Sequence, residues 1–380
     1  MNNDGIQSIK TDRPKVSVLM SVYNGERYLR EAIDSILSQT FKDFEFLIIN
    51  DGSTDGTDNI LRSYHDQRIR VINNNRNIGL TRSLNKGLVL ARAEYIARQD
   101  ADDISFPDRL EKQLLFMQNN PDIAVLGAQA RHIDGTGRPL KIFGPQHALS
   151  PLAVRYSLMF DAPVSHPTVV FRKKIVWDTF KGYDVNYNVG QDSELWCRVG
   201  KEYSIQILPD VLVTMRLHPL SVTRDSGNPR RINHRNLWRK RRPEVMKEIT
   251  GESDIPSEWG EWWEEIHNSQ QFIGGNAAMK LIRGLDNIEA RFLTKYPEAR
   301  DSEEIRKLTA EYKTRIALYL VSYARLASIA AFYQAVKKNW GVALLYAPKY
   351  FSLLLFGQSA RKVYKFVKHG FISDGSNNSR

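Results

Sequence analysis

Three carboxylates crowd one short stretch of the chain, Gln99-Asp100-Ala101-Asp102-Asp103. Close like charges ionise together only at a cost, which a cation lowers. Mg²⁺ or Mn²⁺ suits such a cluster, since both favour carboxylate oxygens and leave part of their shell to phosphate. The plain alternative is a solvated acidic turn. Asp51 closes an apolar run, where its carboxylate can accept from a nucleobase or ribose, or cap the turn-rich residues behind it. Tyr23 follows another apolar run, and its ring can lie on a base or pack against a loop. Asp192 opens an amphipathic segment, as a general base for a hydroxyl or as a helix cap. His218 can ligate a metal, donate to a phosphate, or hold structure before Pro219.

These residues need elements that bring them together. Val16 to Val22 and Phe44 to Ile49 are nearly continuous apolar runs, the signature of buried parallel strands. Glu26 to Ser38 carries Leu29, Ile33, Ile36 and Leu37 at helical spacing. A helix ending near Tyr64, a strand at Ile69–Ile72, a helix over Leu80–Ala91 and a strand at Tyr95–Ala97 follow. Alternating strand and helix predict an open α/β sheet with right-handed crossovers. Ligands bind such sheets beyond the carboxyl ends of the strands, so Asp51 and the acidic run are expected on one rim. Neither early strand leads into a dinucleotide fingerprint or a P-loop, so side chains and a metal must hold any nucleotide. A helix at Pro107–Gln118, a strand at Ala124–Ile133, an edge or irregular strand at Val164–Val170 and strands at Ser204–Leu208 and Val211–Leu217 complete the first half. Trp196 is expected in the core, with an acceptor pocket as its alternative.

The chain has 380 residues, a formal charge of +11 and one cysteine, Cys197. A lone cysteine excludes an intrachain disulfide and suits a reducing, cytoplasmic setting. The first residues lack the apolar core of a signal peptide, and no run reads as a membrane span. The positive charge favours anionic partners. Nucleic acid is not expected, because the basic residues are scattered and no nucleic-acid motif is present. Composition shifts after Thr223, with a basic run at Arg230–Arg242 and one long helical pattern from Glu303 to Lys338. Val342 to Phe356 is apolar but interrupted by Pro348 and Lys349, and Arg361 to Lys368 mixes Lys and Arg with Tyr364, Phe366 and Val367. That composition suits an anionic membrane surface on the cytoplasmic side. The same residues fit packing between helices or a homodimer contact equally well.

Together the motifs resemble the family 2 glycosyltransferases. The resemblance rests on Pro14 to Asn24, Asn50-Asp51-Gly52-Ser53-Thr54-Asp55, Asp100-Ala101-Asp102-Asp103, Gln191 to Trp196 and Arg216-Leu217-His218-Pro219-Leu220-Ser221. It implies a GT-A fold, a mostly parallel sheet flanked by helices, and sugar transfer with inversion from a nucleotide donor. By position, Tyr23 and Asp51 match uracil-contacting residues, Asn24 the loop residue beside them, and Asp100 the position near ribose and metal. Asp102 matches the metal-holding aspartate, Asp103 its neighbouring carboxylate, His218 a residue near the diphosphate and Asp192 the catalytic base. Arg82 is matched loosely to a base or diphosphate contact. Gln191 stands where the family usually has glutamate, which removes a second carboxylate but keeps the base. The implied partners are a UDP-sugar, Mn²⁺ or Mg²⁺, and a saccharide or lipid-linked saccharide acceptor. The alternatives are a non-catalytic nucleotide-sugar-binding protein and a nucleotidyltransferase. The expected organisation is a flexible N-terminus over residues 1–14, a catalytic domain over 15–225, a mainly helical region over 226–368 and a polar tail over 369–380.

Overall fold

The structure, a computed structural model, describes residues 13–140, 149–218, 229–268, 275–321, 325–343, 346, 347 and 350. The chain divides into two compact units, Met1–His234 and Arg235–Arg380.

The first unit is built on a mixed sheet. Strands β1 (Val16–Val22), β2 (Phe44–Asn50), β3 (Ile69–Asn73) and β4 (Tyr95–Asp100) form a parallel half in the order β3-β2-β1-β4. Their apolar runs are explained by helices on both faces. Val16, Val18, Met20 and Val22 share a core with Ile33 and Ile36 of α1 (Leu29–Leu37), Ile60 and Leu61 of α2 (Thr57–Arg62), and Leu110 and Leu114 of α4 (Arg109–Asn119). On the other face α3 (Leu80–Leu90) approaches so closely that a Cβ on Gly87 would lie 2.2 Å from Leu19 Cδ1. Side chains alternate across a strand, so a buried strand serves both layers at once.

Beyond β4 the sheet continues through β8 (Val170–Arg172), β6 (Ile123–Asp134) and β9 (Ser204–Leu217) to β5 (Ile104–Ser105), with the two-residue β7 (Pro139–Leu140) beside β6. Here antiparallel pairs join the parallel ones. Two expectations change. The Val164–Val170 region is not an edge strand. A 3₁₀ turn at His166–Thr168 leads into β8, which pairs β4 on one side and β6 on the other. The two expected strands over 204–217 are one, because Pro209 and Asp210 sit where its register on β6 shifts and no ladder bond is needed. The last strand, β5, is four positions from β4 in sheet order, yet only residues 101–103 connect them. The sheet is therefore curled, and the acidic run bridges its closing seam.

The second unit is helical: α7 (Pro229–Thr250), α8 (Glu258–Asn268), α9 (Gly275–Lys295), α10 (Glu303–Val321) and α11 (Arg325–Lys338). Trp263 packs edge-on to Tyr312 at 5.5 Å. The expected long helix over 303–338 is two, α10 and α11, because buried faces on both let them pack on each other. No helix among the described residues is long and apolar enough to cross a membrane. Much of the apolar Val342–Phe356 segment, and all of Arg361–Lys368, lie outside the described residues.

Candidate active site

At the carboxyl end of β1, Tyr23 is 48% exposed and open to a ligand. Asn24 has φ of 52°, a left-handed conformation that Asn tolerates better than most residues. Its backbone N–H donates to Ser53 Oγ at 3.0 Å, and its side-chain oxygen accepts from Thr54 N at 2.8 Å. Asn24 thus clamps two loops together. Asp51 is 2% exposed. Its carboxylate accepts from Asn74 Nδ2 at 2.8 Å, Ile78 N at 2.9 Å and Gly79 N at 2.9 Å. These bonds fix the loop that enters α3. Gly52 is required beneath it: φ is +68°, and a Cβ would lie 2.5 Å from the Arg76 carbonyl carbon. Arg82 is exposed on the first turn of α3.

The acidic run is held from three sides. Asp103 is 3% exposed, and its Oδ1 accepts from Arg216 N at 2.9 Å. Asp102 Oδ2 accepts from His218 Nε2 at 3.0 Å, with both side chains partly open to solvent. Arg216 also donates from Nε to Asp102 O at 3.2 Å, pairs with Glu31 and covers the Tyr28 ring at 4.5 Å. The Tyr28 ring in turn lies 5.2 Å from that of His218. From below, the buried guanidinium of Arg98 pairs with Asp100. Buried Arg109 directs all five donors at neutral oxygens: Gln113 Oε1, Gln99 Oε1, Ser105 Oγ, Arg98 O and Val169 O, at 2.8 to 3.3 Å. Loss of hydration pushes the Asp103 carboxyl well above its ordinary range, and Asp102 and Asp100 push it further. Asp100 is likewise raised by loss of hydration, against the pull of Arg98 and with the push of Asp102. Two buried cations of the protein, Arg98 and Arg109, act on this cluster, but burial outweighs their pull.

Asp192 stands in the first turn of α6 (Gln191–Glu202). The cap position belongs to Gly190, in a left-handed conformation at φ 71°, and Asp192 follows it on the first turn. The loop ahead of α6 is tied to α3. Asn85 Nδ2 donates to Tyr183 O at 2.7 Å, Tyr183 N donates to Asn85 Oδ1 at 2.9 Å, and Thr81 Oγ1 donates to Tyr187 O at 2.7 Å. Burial raises the Asp192 carboxyl, backbone N–H groups of Ser193 and Asp192 lower it, and then Asp100 raises it and Arg98 lowers it. The bonds from α3 to Tyr183 and Tyr187 hold the start of α6 beside the loop that Asp51 fixes. His166 Nε2 meets Tyr183 Oη at 2.8 Å. Burial, then Arg98, hold His166 well below its ordinary pKa, so it is neutral. Trp196 is fully buried against His166 and Phe171, in the core as expected.

Residues 17–180 match the model of glycosyl transferase family 2. An uncharacterized glycosyltransferase of Methanocaldococcus jannaschii is 38% identical over 211 residues, covering 54% of this chain and 72% of that protein. The chain belongs to glycosyltransferase family 2. The O-antigen biosynthesis glycosyltransferase WbnJ of Escherichia coli is 33% identical over 217 residues, 56% of this chain and 83% of its own. Staphylococcus aureus TarS, residues 1–349, solved with UDP-GlcNAc, superposes with a TM-score of 0.50 at 18% identity, over 88% of this chain and 92% of that one. The family 2 enzyme thus has a GT-A-type fold with a helical C-terminal region.

In this glycosyltransferase the sequence reading overlooked the supports: Arg98, Arg109, Tyr28, Glu31 and Asn85. Only Arg98 and Arg109 left a trace, as charges in otherwise buried patterns. Arg109→Met is expected to destabilise the fold by about 3 kcal/mol or more, because five buried acceptors lose their donors. Urea unfolding measures it. A loss below about 1 kcal/mol would show that the site repacks without the charge.

Proposed function

We propose that this glycosyltransferase moves a sugar from a UDP-sugar to an acceptor hydroxyl with inversion, using Asp192 as general base and a divalent cation held at Asp102 and His218. The observation that carries the reading is convergence: Thr81 and Asn85 of α3 bond the loop that leads into Asp192, while Asp51 fixes the entry to the same α3.

Among the described residues no group of three or more His, Cys, Asp or Glu side chains could hold a metal by itself. A fit is still possible through Asp102 Oδ2 and His218 Nε2, two partly open ligand atoms 3.0 Å apart. Mg²⁺ is commonly bound by one or two carboxylates, substrate phosphates and water. When bound, such an ion neutralises the departing diphosphate. The protein's part is separate. Asp51 holds the Asn74–Gly79 loop in place, so that a base can lie between this loop and the exposed Tyr23 ring. Arg82, exposed near the same loop, is available to the diphosphate. Asp192 accepts the acceptor hydroxyl proton as the oxygen attacks the anomeric carbon opposite the leaving group. One base acting on one face gives inversion.

The uracil preference draws on the match of Tyr23 and Asp51 to uracil-contacting positions, and on the UDP-GlcNAc carried by TarS. Calorimetry with UDP, GDP, CDP and dTDP in Mn²⁺ tests it. UDP is expected to bind at least about tenfold more tightly than the others, a difference of about 1.4 kcal/mol. Tighter GDP or dTDP binding would overturn the preference. A panel of UDP-sugars, scored for transfer, identifies the sugar.

A further inference from the structure

The exposed large apolar residues of the second unit, among the described residues, fall on one line: Ile329 at 49%, Tyr333 at 57% and Trp340 at 69%. Their spacings of four and seven put them on one side of α11 and its immediate continuation. Asn339 N still donates to Ala335 O at 3.0 Å, and Ala343 N to Asn339 O at 3.1 Å, so the helical path persists through Trp340. The opposite side is already satisfied. Ser328, Ala331 and Ala335 are fully buried, and Phe332 stacks on Tyr350 at 4.1 Å. The outer apolar residues therefore keep about half or more of their surface open.

The local charge indicates what covers them. From Arg325 to Arg380 the chain carries nine Lys and Arg against the single acidic residue Asp374. Lys337 lies beside the stripe, with Nζ 5.2 Å from the Tyr333 ring centroid. A helix with aromatic and aliphatic residues on one side, set in a basic segment, lies in a headgroup layer with its apolar face in the acyl boundary. Tyr and Trp suit that position, since each has an apolar body and a polar tip. A second copy of this chain would gain from the same apolar contacts, but its basic segment would meet its own like charge.

We propose that Ile329, Tyr333 and Trp340 form a docking face for an anionic lipid bilayer. The inference is independent of the transfer reading, since binding to lipid needs no donor or acceptor. The test is co-sedimentation of the full chain with vesicles of phosphatidylcholine alone and with added phosphatidylglycerol. Binding is expected to rise with phosphatidylglycerol and to fall as salt shortens the screening length. The triple variant Ile329→Ser, Tyr333→Ser, Trp340→Ser is expected to bind at least about tenfold more weakly, with an unchanged melting temperature. No binding to anionic vesicles at low salt overturns the proposal, as does undiminished binding by the variant. A melting temperature lowered by the substitutions would show the face packed against the protein's own chain. A dimer of the parent that the variant dissociates would assign the face to a second copy. Either result overturns lipid as the occupant.

Discussion

Asp192→Asn is expected to lower the rate of transfer by about 100-fold or more while leaving nucleotide affinity near normal. The amide keeps the size of the carboxylate but cannot take a proton. Gly190 holds the cap position, so the substitution leaves the start of α6 intact. The pH profile supplies the signature of a base. Asp192 works ionised, and burial raises its carboxyl above the usual range, so the acid limb of kcat should lie higher than for an ordinary carboxylate. Activity falls as pH drops through that raised value. In the variant this limb disappears, and the remaining rate is flat across it. Near-normal turnover at saturating acceptor would remove Asp192 from the chemistry. Loss of nucleotide binding together with turnover would point to a disturbed rim.

Asp102→Ala is expected to cost about 100- to 1,000-fold in transfer, since electrostatic support of a departing diphosphate is worth several kcal/mol. It should also abolish calorimetric binding of Mn²⁺ in the presence of UDP. The fold should survive. Asp102 lies on the short seam between β4 and β5, and its backbone carbonyl, which accepts from Arg216, remains. Chelation of the parent enzyme should reproduce the loss, with Mn²⁺ or Mg²⁺ restoring it. Unchanged transfer by the variant in chelator would exclude Asp102 as a metal ligand. Comparison with His218→Ala separates the two proposed ligands, because the ring also packs on Tyr28.

The parallel half of the sheet was legible because its strands are buried on both faces and so read as unbroken apolar runs. The strand ends then located Tyr23, Asp51 and Asp100. What stayed hidden was the traffic between distant segments. Nothing in Val170–Arg172 says that it fits between β4 and β6, since three residues carry no period. Pro209 reads as a strand break, but the shifted register on β6 makes its missing donor harmless. Asp51 reads as a ligand contact or a cap, and nothing in the sequence tells that its carboxylate also holds three donors of the loop entering α3. The two buried arginines were hidden for an energetic reason. A charged residue inside an apolar pattern is expected at the surface unless its partners are known, and those partners, such as Gln113 and Val169 O, become neighbours only on folding.

The curl of the sheet makes the acidic run depend on one of the last strands of its own unit. Strands β1, β2 and β3 pair with their neighbours in sequence and β4 adds to β1, so all four are available before β9 is made. Asp103 cannot be fastened then, because its donor Arg216 and the ladder partner of β5, Thr214, are still more than a hundred residues away in synthesis. Until β9 arrives, the acidic residues hang from one strand and repel one another. A chain cut short of β9 therefore lacks the backbone donor that fastens Asp103. Strand β9 is the latch of the acidic run, joined to it only when the whole domain is present.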